Sequence, residues 1–435
     1  MKISFVVAGA GEMICGACMH DALLAEGLIK RGYQVEVYTL YTPVKIDFEL
    51  PQKEKKIYFS GITAYLEQQY KFFRTLAPGL LDNLLESPSF LKLMMSFSVD
   101  VEPEKLGALT VSMLKGMEGY QRREVLRLVS AMEKKDKPDL VVITNSMLIS
   151  IAPVIKEKLN VPVYCQLMGE EDFIEHLPAP YSEEAKSLMR KHASSVTKFL
   201  APSPTYAAEM AYFIAVDRKM VVPIVSGINS AYYNPLPERT KEPFTIGYLS
   251  RIMYAKGLDI LVEAFILLRK KYNKNAKLMV AGAIIGSKKQ AYFDKCKARL
   301  KEENLLDDLL YIGAPGLKEK ALFLNGLSVF AVPSRFSESR GFAVLEAMAS
   351  GIPVVLPDSG IYRDFVNKGN AGILVKQNNA EALAEGLLKI MDNPSEADKF
   401  GQNARTSALT DYSQERMVEE NVNFFENEKI GWSEG

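Results

Sequence analysis

Apolar residues recur along this chain in short continuous runs. Each run ends at a glycine or polar turn, and a stretch with helical spacing follows. Residues 3–8 form the first run, broken by Gly9, Ala10 and Gly11. Between about 17 and 30, Leu23, Leu24, Gly27 and Leu28 share one side of a helix; Gly32 closes it, and 35–38 reads as the next strand. An unbroken apolar run, rather than an alternating one, predicts a parallel strand covered on both faces. Further strands are expected at 140–143, 161–165 and 199–201, then at 244–248, 277–281, 309–312, 329–332, 353–356 and 372–375. Strands that alternate with helices in this way predict doubly wound parallel sheets.

The pattern changes twice. From about 57 to 128 the chain is rich in Leu, Met, Phe and Tyr, with breaks at Pro78, Pro88 and Pro103. This predicts a helical insertion in the first domain. Its mixture of aromatic and basic residues could suit a membrane surface, but the interspersed acids favour a helical cap or a dimer contact. The passage 223–243, with Pro223, Gly227, Pro235, Pro237 and Pro243, reads as a linker. The expected organisation is therefore an N-terminal domain over 1–222, the linker over 223–243, a C-terminal domain over 244–408 and a terminal helix over 409–435 that could return to the first domain. Two such domains would face each other across a cleft reached by strand C-termini.

Composition narrows the classes. Among 435 residues, 48% are hydrophobic and 24% charged, with 53 basic against 53 acidic side chains. The balance gives no global field for nucleic acid. No apolar run approaches the ~18 residues that span a bilayer. Four cysteines do not make a disulfide framework, so a reduced, cytoplasmic protein is expected, with attachment at the inner membrane face left open but not favoured.

The densest chemistry lies between Pro333 and Gly351. A strand should end near Pro333 and a helix should begin near Gly341 or Phe342. Free N–H groups at such a helix start favour an anion. Glu338 precedes the helix and Glu346 lies more than one turn inside it; such glutamates can accept hydrogen bonds from sugar and ribose hydroxyls, or can be solvated helix charges. Arg251 and Lys256 follow the strand through Gly247 and suit a diphosphate, although a lone Arg/Lys pair is more often a surface pair.

The two segments together resemble family 4 of the retaining glycosyltransferases, which have the GT-B fold. Glu338 and Glu346, with seven residues between them, match that family's paired glutamates. Arg251 and Lys256 match its basic loop, and Val225-Ser226-Gly227-Ile228-Asn229 resembles its linker entry, where Asp is more usual than Asn. The resemblance spans about 221–391. In the N-terminal half a bacterial subgroup is resembled more weakly, through 11–18, 169–172 and 177–181. The resemblance implies an α/β enzyme that moves a hexosyl group from a nucleotide diphosphate sugar to an unidentified glycan, lipid or small-molecule acceptor. It implies that Glu346 binds the donor ribose, that Glu338 holds the donor sugar with Gly341, Phe342 and Ala343, and that Arg251 and Lys256 neutralise the leaving diphosphate. Gly247 and Gly313 would line the donor site, with the base near Gly313. No metal and no other cofactor is expected.

The acceptor side departs from the family. Where many members carry a histidine, this chain has Met168. The leaving phosphate would then activate the acceptor, or Glu170, Glu171 or Asp172 would assist, with Asp172 taken as the catalytic candidate; a carboxylate can serve as base if burial raises its pKa. Gly11 and Glu12 are candidates for acceptor contacts. The glycine loop at 9–12 lacks a third glycine, and no acid follows the second strand, so an NAD site is not expected. Cys15 and Cys18 form a Cys-x-x-Cys at a helix start, which reads as packing more readily than as a redox pair. A nucleotide-sugar epimerase or phosphorylase, a CxxC redox protein and a non-catalytic binding protein are the alternatives.

Overall fold

The computed structural model describes residues 1–8, 16–40, 53–57, 103–235 and 242–433. These fall into two units, Met1–Val225 with Val418–Gly435, and Ser226–Met417.

The first unit is built on seven parallel strands: β1 (Lys2–Val7), β2 (Gln34–Thr39), β3 (Lys53–Ile57), β4 (Leu140–Ile143), β5 (Val163–Gln166), β6 (Lys198–Ala201) and β7 (Val221–Pro223). Their spatial order is β3-β2-β1-β4-β5-β6-β7. The central strands are almost wholly buried, as their unbroken apolar runs require. Helix Gly16–Lys30 makes the first crossover, and helix Arg122–Lys134 buries Val125, Leu128, Val129 and Met132. Of the expected insertion, 58–102 lies outside the described residues, and Pro103–Leu114 and Arg122–Lys134 are helical. The two edge strands were not anticipated. Lys-Glu-Lys-Lys-Ile carries no apolar run, and charge on an edge strand discourages pairing with another chain. The other edge, β7, is three residues long and ends in proline.

The last helix, Gln414–Ser433, contributes to this first unit from Val418 onward. Tyr164 of β5 packs against Phe424 and Phe425, with ring centroids 5.1 and 5.7 Å away. The N–H of Val225 donates to Glu420 at 3.0 Å, and the Tyr33 hydroxyl donates to Glu426. Gly27 is a glycine because a side chain there would meet Val418.

The second unit has six parallel strands: β8 (Phe244–Leu249), β9 (Ala276–Ala281), β10 (Leu309–Tyr311), β11 (Val329–Phe330), β12 (Val354–Pro357) and β13 (Gly372–Val375). Their order is β10-β9-β8-β11-β12-β13, so the direction of winding reverses between β8 and β11. Helix Leu258–Lys270 buries eight of its residues, and helix Phe342–Ala349 is buried from Val344 onward. Each unit is a doubly wound α/β sheet.

Candidate functional site

In an open parallel sheet, ligands bind beyond the strand C-termini where the winding reverses. In the second unit that point lies between β8 and β11. The loop after β8 carries Arg251 and Lys256, and the loop after β11 carries Ser334 and Glu338.

The two loops are bound to one another. Lys256 Nζ donates to Glu338 Oε1, and the Ser334 hydroxyl donates to the same oxygen at 2.7 Å. Both charged side chains are 12% exposed, and Lys256 lies 4.4 Å over the Phe336 ring. Beside this pair Arg335 grips Asp259 with two hydrogen bonds, at 2.8 and 2.6 Å, and stacks 3.7 Å over Tyr254. Burial works against the charge on Asp259, but hydrogen bonds from Arg335 and Tyr292 outweigh it and hold the carboxyl below its ordinary range. Gly257 makes the approach possible: its φ is +71°, and a side chain would sit 2.0 Å from the Pro333 carbonyl oxygen. Arg251 is exposed and forms no ion pair with a described residue. Two held cations, Lys256 and Arg335, thus lie beside the switch together with Arg251, which has no ion-pair partner among the described residues.

Helix Phe342–Ala349 starts beside them. Gly341 caps it with φ +60°, and a Cβ there would meet the Phe365 ring at 2.7 Å. The first intrahelical bond runs from the Val344 N–H to the Gly341 carbonyl at 2.9 Å, so the amides of Phe342 and Ala343 precede the ladder. Only the first residues of this helix have appreciable exposure, so its positive end faces outward while its body is buried. Fixed cations and a helix N-terminus at one sheet edge suit a diphosphate.

Glu346, in the second turn, is 8% exposed. It accepts from the Tyr233 hydroxyl at 2.8 Å and from Lys320 Nζ at 2.6 Å. Neither partner was anticipated, although the sequence held a sign of Lys320: it shares a helix face with the buried Phe323 and Leu324. Arg335 and Asp259 were missed as well. Gly313 follows β10 with φ +73° and no heavy atom within 4 Å of a built Cβ. Gly247 lies inside β8, where its missing side chain makes room for Leu327, which gives it a packing role.

On the first unit, Gly11, Glu12 and Cys15 lie outside the described residues; Cys18 is buried. Met168 is 9% exposed, and its N–H donates to Glu170 Oε2 at 2.7 Å. The other oxygen of Glu170 accepts from the Ser146 N–H at 3.0 Å, which ties the loops after β4 and β5. The three adjacent acids differ. Asp172 is partly exposed and lies 3.4 Å from His176, which is itself exposed. Glu170 is buried and occupied by backbone amides. Glu171 accepts from the Tyr206 hydroxyl, and burial pushes its carboxyl up to about 7 against that hydrogen bond. Tyr206 in turn accepts from the Gly169 N–H at 2.8 Å. The raised carboxyl of Glu171 has the perturbed acidity that a base requires. Among the described residues no cluster of His, Cys, Asp or Glu could hold a metal ion, and no helix is long and apolar enough to cross a membrane.

Residues 235–407 match the model of the family described as glycosyl transferases group 1. A lipopolysaccharide core biosynthesis mannosyltransferase of Rhizobium leguminosarum bv. viciae is 29% identical over 203 residues. That alignment covers 44% of this chain and 56% of the relative, so the chain spans about half the length of the protein it matches. Solved structures extend over both units. Sucrose-phosphate synthase from Thermosynechococcus elongatus superimposes with a TM-score of 0.74 at 17% identity, covering 99% of each chain. HepE of Anabaena, in complex with UDP and glucose, gives 0.68 at 15% identity, covering 98% of this chain and all of that one. The fold is GT-B, and over residues 235–407 the chain is similar to the glycosyl transferases group 1.

Proposed function

We propose that this chain is a retaining glycosyltransferase that moves a hexosyl group from a nucleotide diphosphate sugar to a hydroxyl-bearing acceptor, with the donor bound by the Ser226–Met417 unit. The observation that carries the reading is the Lys256–Glu338–Ser334 cluster at the sheet's switch point, with exposed Arg251 in the same loop as Lys256 and the Gly341-capped helix following Glu338. In this reading Arg251, Lys256 and the amides of Phe342 and Ala343 hold the diphosphate. Breaking the glycosidic bond builds negative charge there, and cations already in place lower the barrier. Glu338, fixed by Lys256 and Ser334, accepts hydrogen bonds from the sugar. Glu346 accepts from the ribose, and Gly313 leaves room for the base.

Displacement proceeds on the front face of the sugar, with the leaving phosphate taking the acceptor proton and no protein nucleophile. The reading needs no resident cofactor. The N-terminal unit takes the acceptor, a glycan, lipid or small molecule, near Met168 and Asp172, and the setting is cytoplasmic. Because HepE was solved with UDP and glucose, a uridine nucleotide is the first donor to try.

Thermal unfolding of the wild type and of Arg251→Ala tests the reading, with UDP, GDP, ADP, NAD and the sugar conjugates. A ligand at 100 times its Kd stabilises the fold by about 2.7 kcal/mol, several degrees in Tm. One nucleoside diphosphate should protect the wild type and fail to protect Arg251→Ala. Protection by NAD alone, or by nothing, overturns the donor site.

A further inference from the structure

Glu346 sits in an unusual setting for a helix carboxylate. Both of its contacts, from Tyr233 and from Lys320, fall on Oε1, and Oε2 has no hydrogen-bond partner among the described residues. Lys320 and Glu346 are only 10% and 11% exposed at their side chains. The three groups come from separate segments: the stretch before β8, helix Leu317–Asn325 and helix Phe342–Ala349. Tyr233 is held in turn. Arg405 donates to its carbonyl at 2.9 Å and to Asn234 Oδ1 at 3.1 Å, and Asn325 donates to the Asn234 carbonyl at 3.1 Å. Burying an ion pair contributes little stability compared with an apolar pair of the same volume. An arrangement that spends a lysine and a phenol on one carboxylate oxygen and leaves the other open is suited to presenting that second oxygen to a ligand.

We infer that Lys320 and Tyr233 are positioning residues for nucleotide recognition: they fix Glu346 through Oε1 so that Oε2 accepts from a ribose hydroxyl of the bound nucleotide. The inference rests on the donor-site reading above. Lys320 supplies the opposite charge, and Tyr233 supplies the second direction that stops the carboxylate from rotating. Discrimination between ribose and deoxyribose then depends on two residues that make no contact with the sugar themselves.

Isothermal titration of UDP, GDP and ADP, each beside its 2′-deoxy and 3′-deoxy counterpart, tests this on the wild type, Tyr233→Phe and Lys320→Met. The preferred ribonucleotide should bind the wild type at least tenfold more tightly than one of its deoxy forms. In either variant the ribonucleotide should weaken to the level of that deoxy form, while the deoxy form binds within about threefold of its wild-type affinity. Thermal unfolding without ligand reads the integrity of the fold. If Lys320→Met does not fold, Tyr233→Phe decides, since it removes one hydroxyl and keeps the ring. Variants that fold and weaken both forms equally, or that keep the wild-type discrimination, overturn the inference, as does a wild type indifferent to both deoxy changes. If no nucleotide binds the wild type, the donor site itself is wrong and this inference falls with it.

Discussion

Replacing Glu171 with glutamine should make the first unit more stable at neutral pH and leave it unchanged in acid. Glu171 has its carboxyl raised from 4.5 to about 7, chiefly by burial and further by Glu170 and Asp172, against the hydrogen bond from Tyr206. The folded unit therefore binds this proton more tightly than the unfolded chain does. Between about pH 4.5 and 7 the native state holds the proton and the unfolded state does not, so stability falls as pH rises through that window. A gap of about 2.5 units corresponds to roughly 3.4 kcal/mol at 1.36 kcal/mol per unit, and partial exposure reduces this to about 1–2 kcal/mol. Glutamine keeps the shape, stays neutral and can still accept from Tyr206. Calorimetry of Glu171→Gln against the wild type should show almost no difference in the first unit's Tm near pH 4, below the unfolded-state value of 4.5. By pH 8 the gain should reach about 2–8 °C, at roughly 2–4 °C per kcal/mol for a unit of this size. Tyr206→Phe removes the one side-chain hydrogen bond that favours the carboxylate, so it should steepen the loss with pH. A difference that stays flat with pH, or a variant that is weakest at pH 8, refutes the reasoning.

Other consequences can be measured alongside. Gly257→Ala should be more damaging than Gly341→Ala, because its Cβ meets backbone and the other meets an aromatic ring; about 1–3 kcal/mol is expected for strain of this kind, read as lowered Tm of the second unit. Arg335→Lys should lower that unit's stability by about 1 kcal/mol, since an ammonium cannot replace the two-point grip on Asp259 or the stacking on Tyr254. In the native protein, iodoacetamide at pH 8 should leave Cys165 and Cys296 unlabelled by mass spectrometry. Both are buried, and burial pushes the Cys296 thiol up to about 12 and Cys165 well above its ordinary value.

In the first unit the strands that could be read from the sequence were those buried on both faces. Residues 140–143 were located to the residue, because a central parallel strand has no polar position to confuse it. The edges β3 and β7 were not, since one is charged and the other too short to carry a pattern. The helix start at Phe342 followed from the glycine before it, whose left-handed backbone few other residues adopt. What could not be read was pairing. Lys256 and Glu338 are 82 positions apart, and nothing in either segment says that one charge rests on the other. The same holds for Arg335 with Asp259, separated by 76. Among Glu170, Glu171 and Asp172 the sequence offered three equivalent acids. Burial and the hydroxyl of Tyr206 make them different, and both belong to the third dimension.

The return of the final helix to the first unit has a consequence for how the protein is made. The first sheet is synthesised early, yet the surface that receives Val418, Phe424 and Phe425 waits while residues 226–417 are translated. At about 5–20 residues per second this is a delay of roughly 10–40 seconds. For that time the nascent protein carries an apolar face around Gly27 and Tyr164 with its own partner not yet made. The half that emerges first is the half completed last, and the interval between is when a chaperone has most to protect.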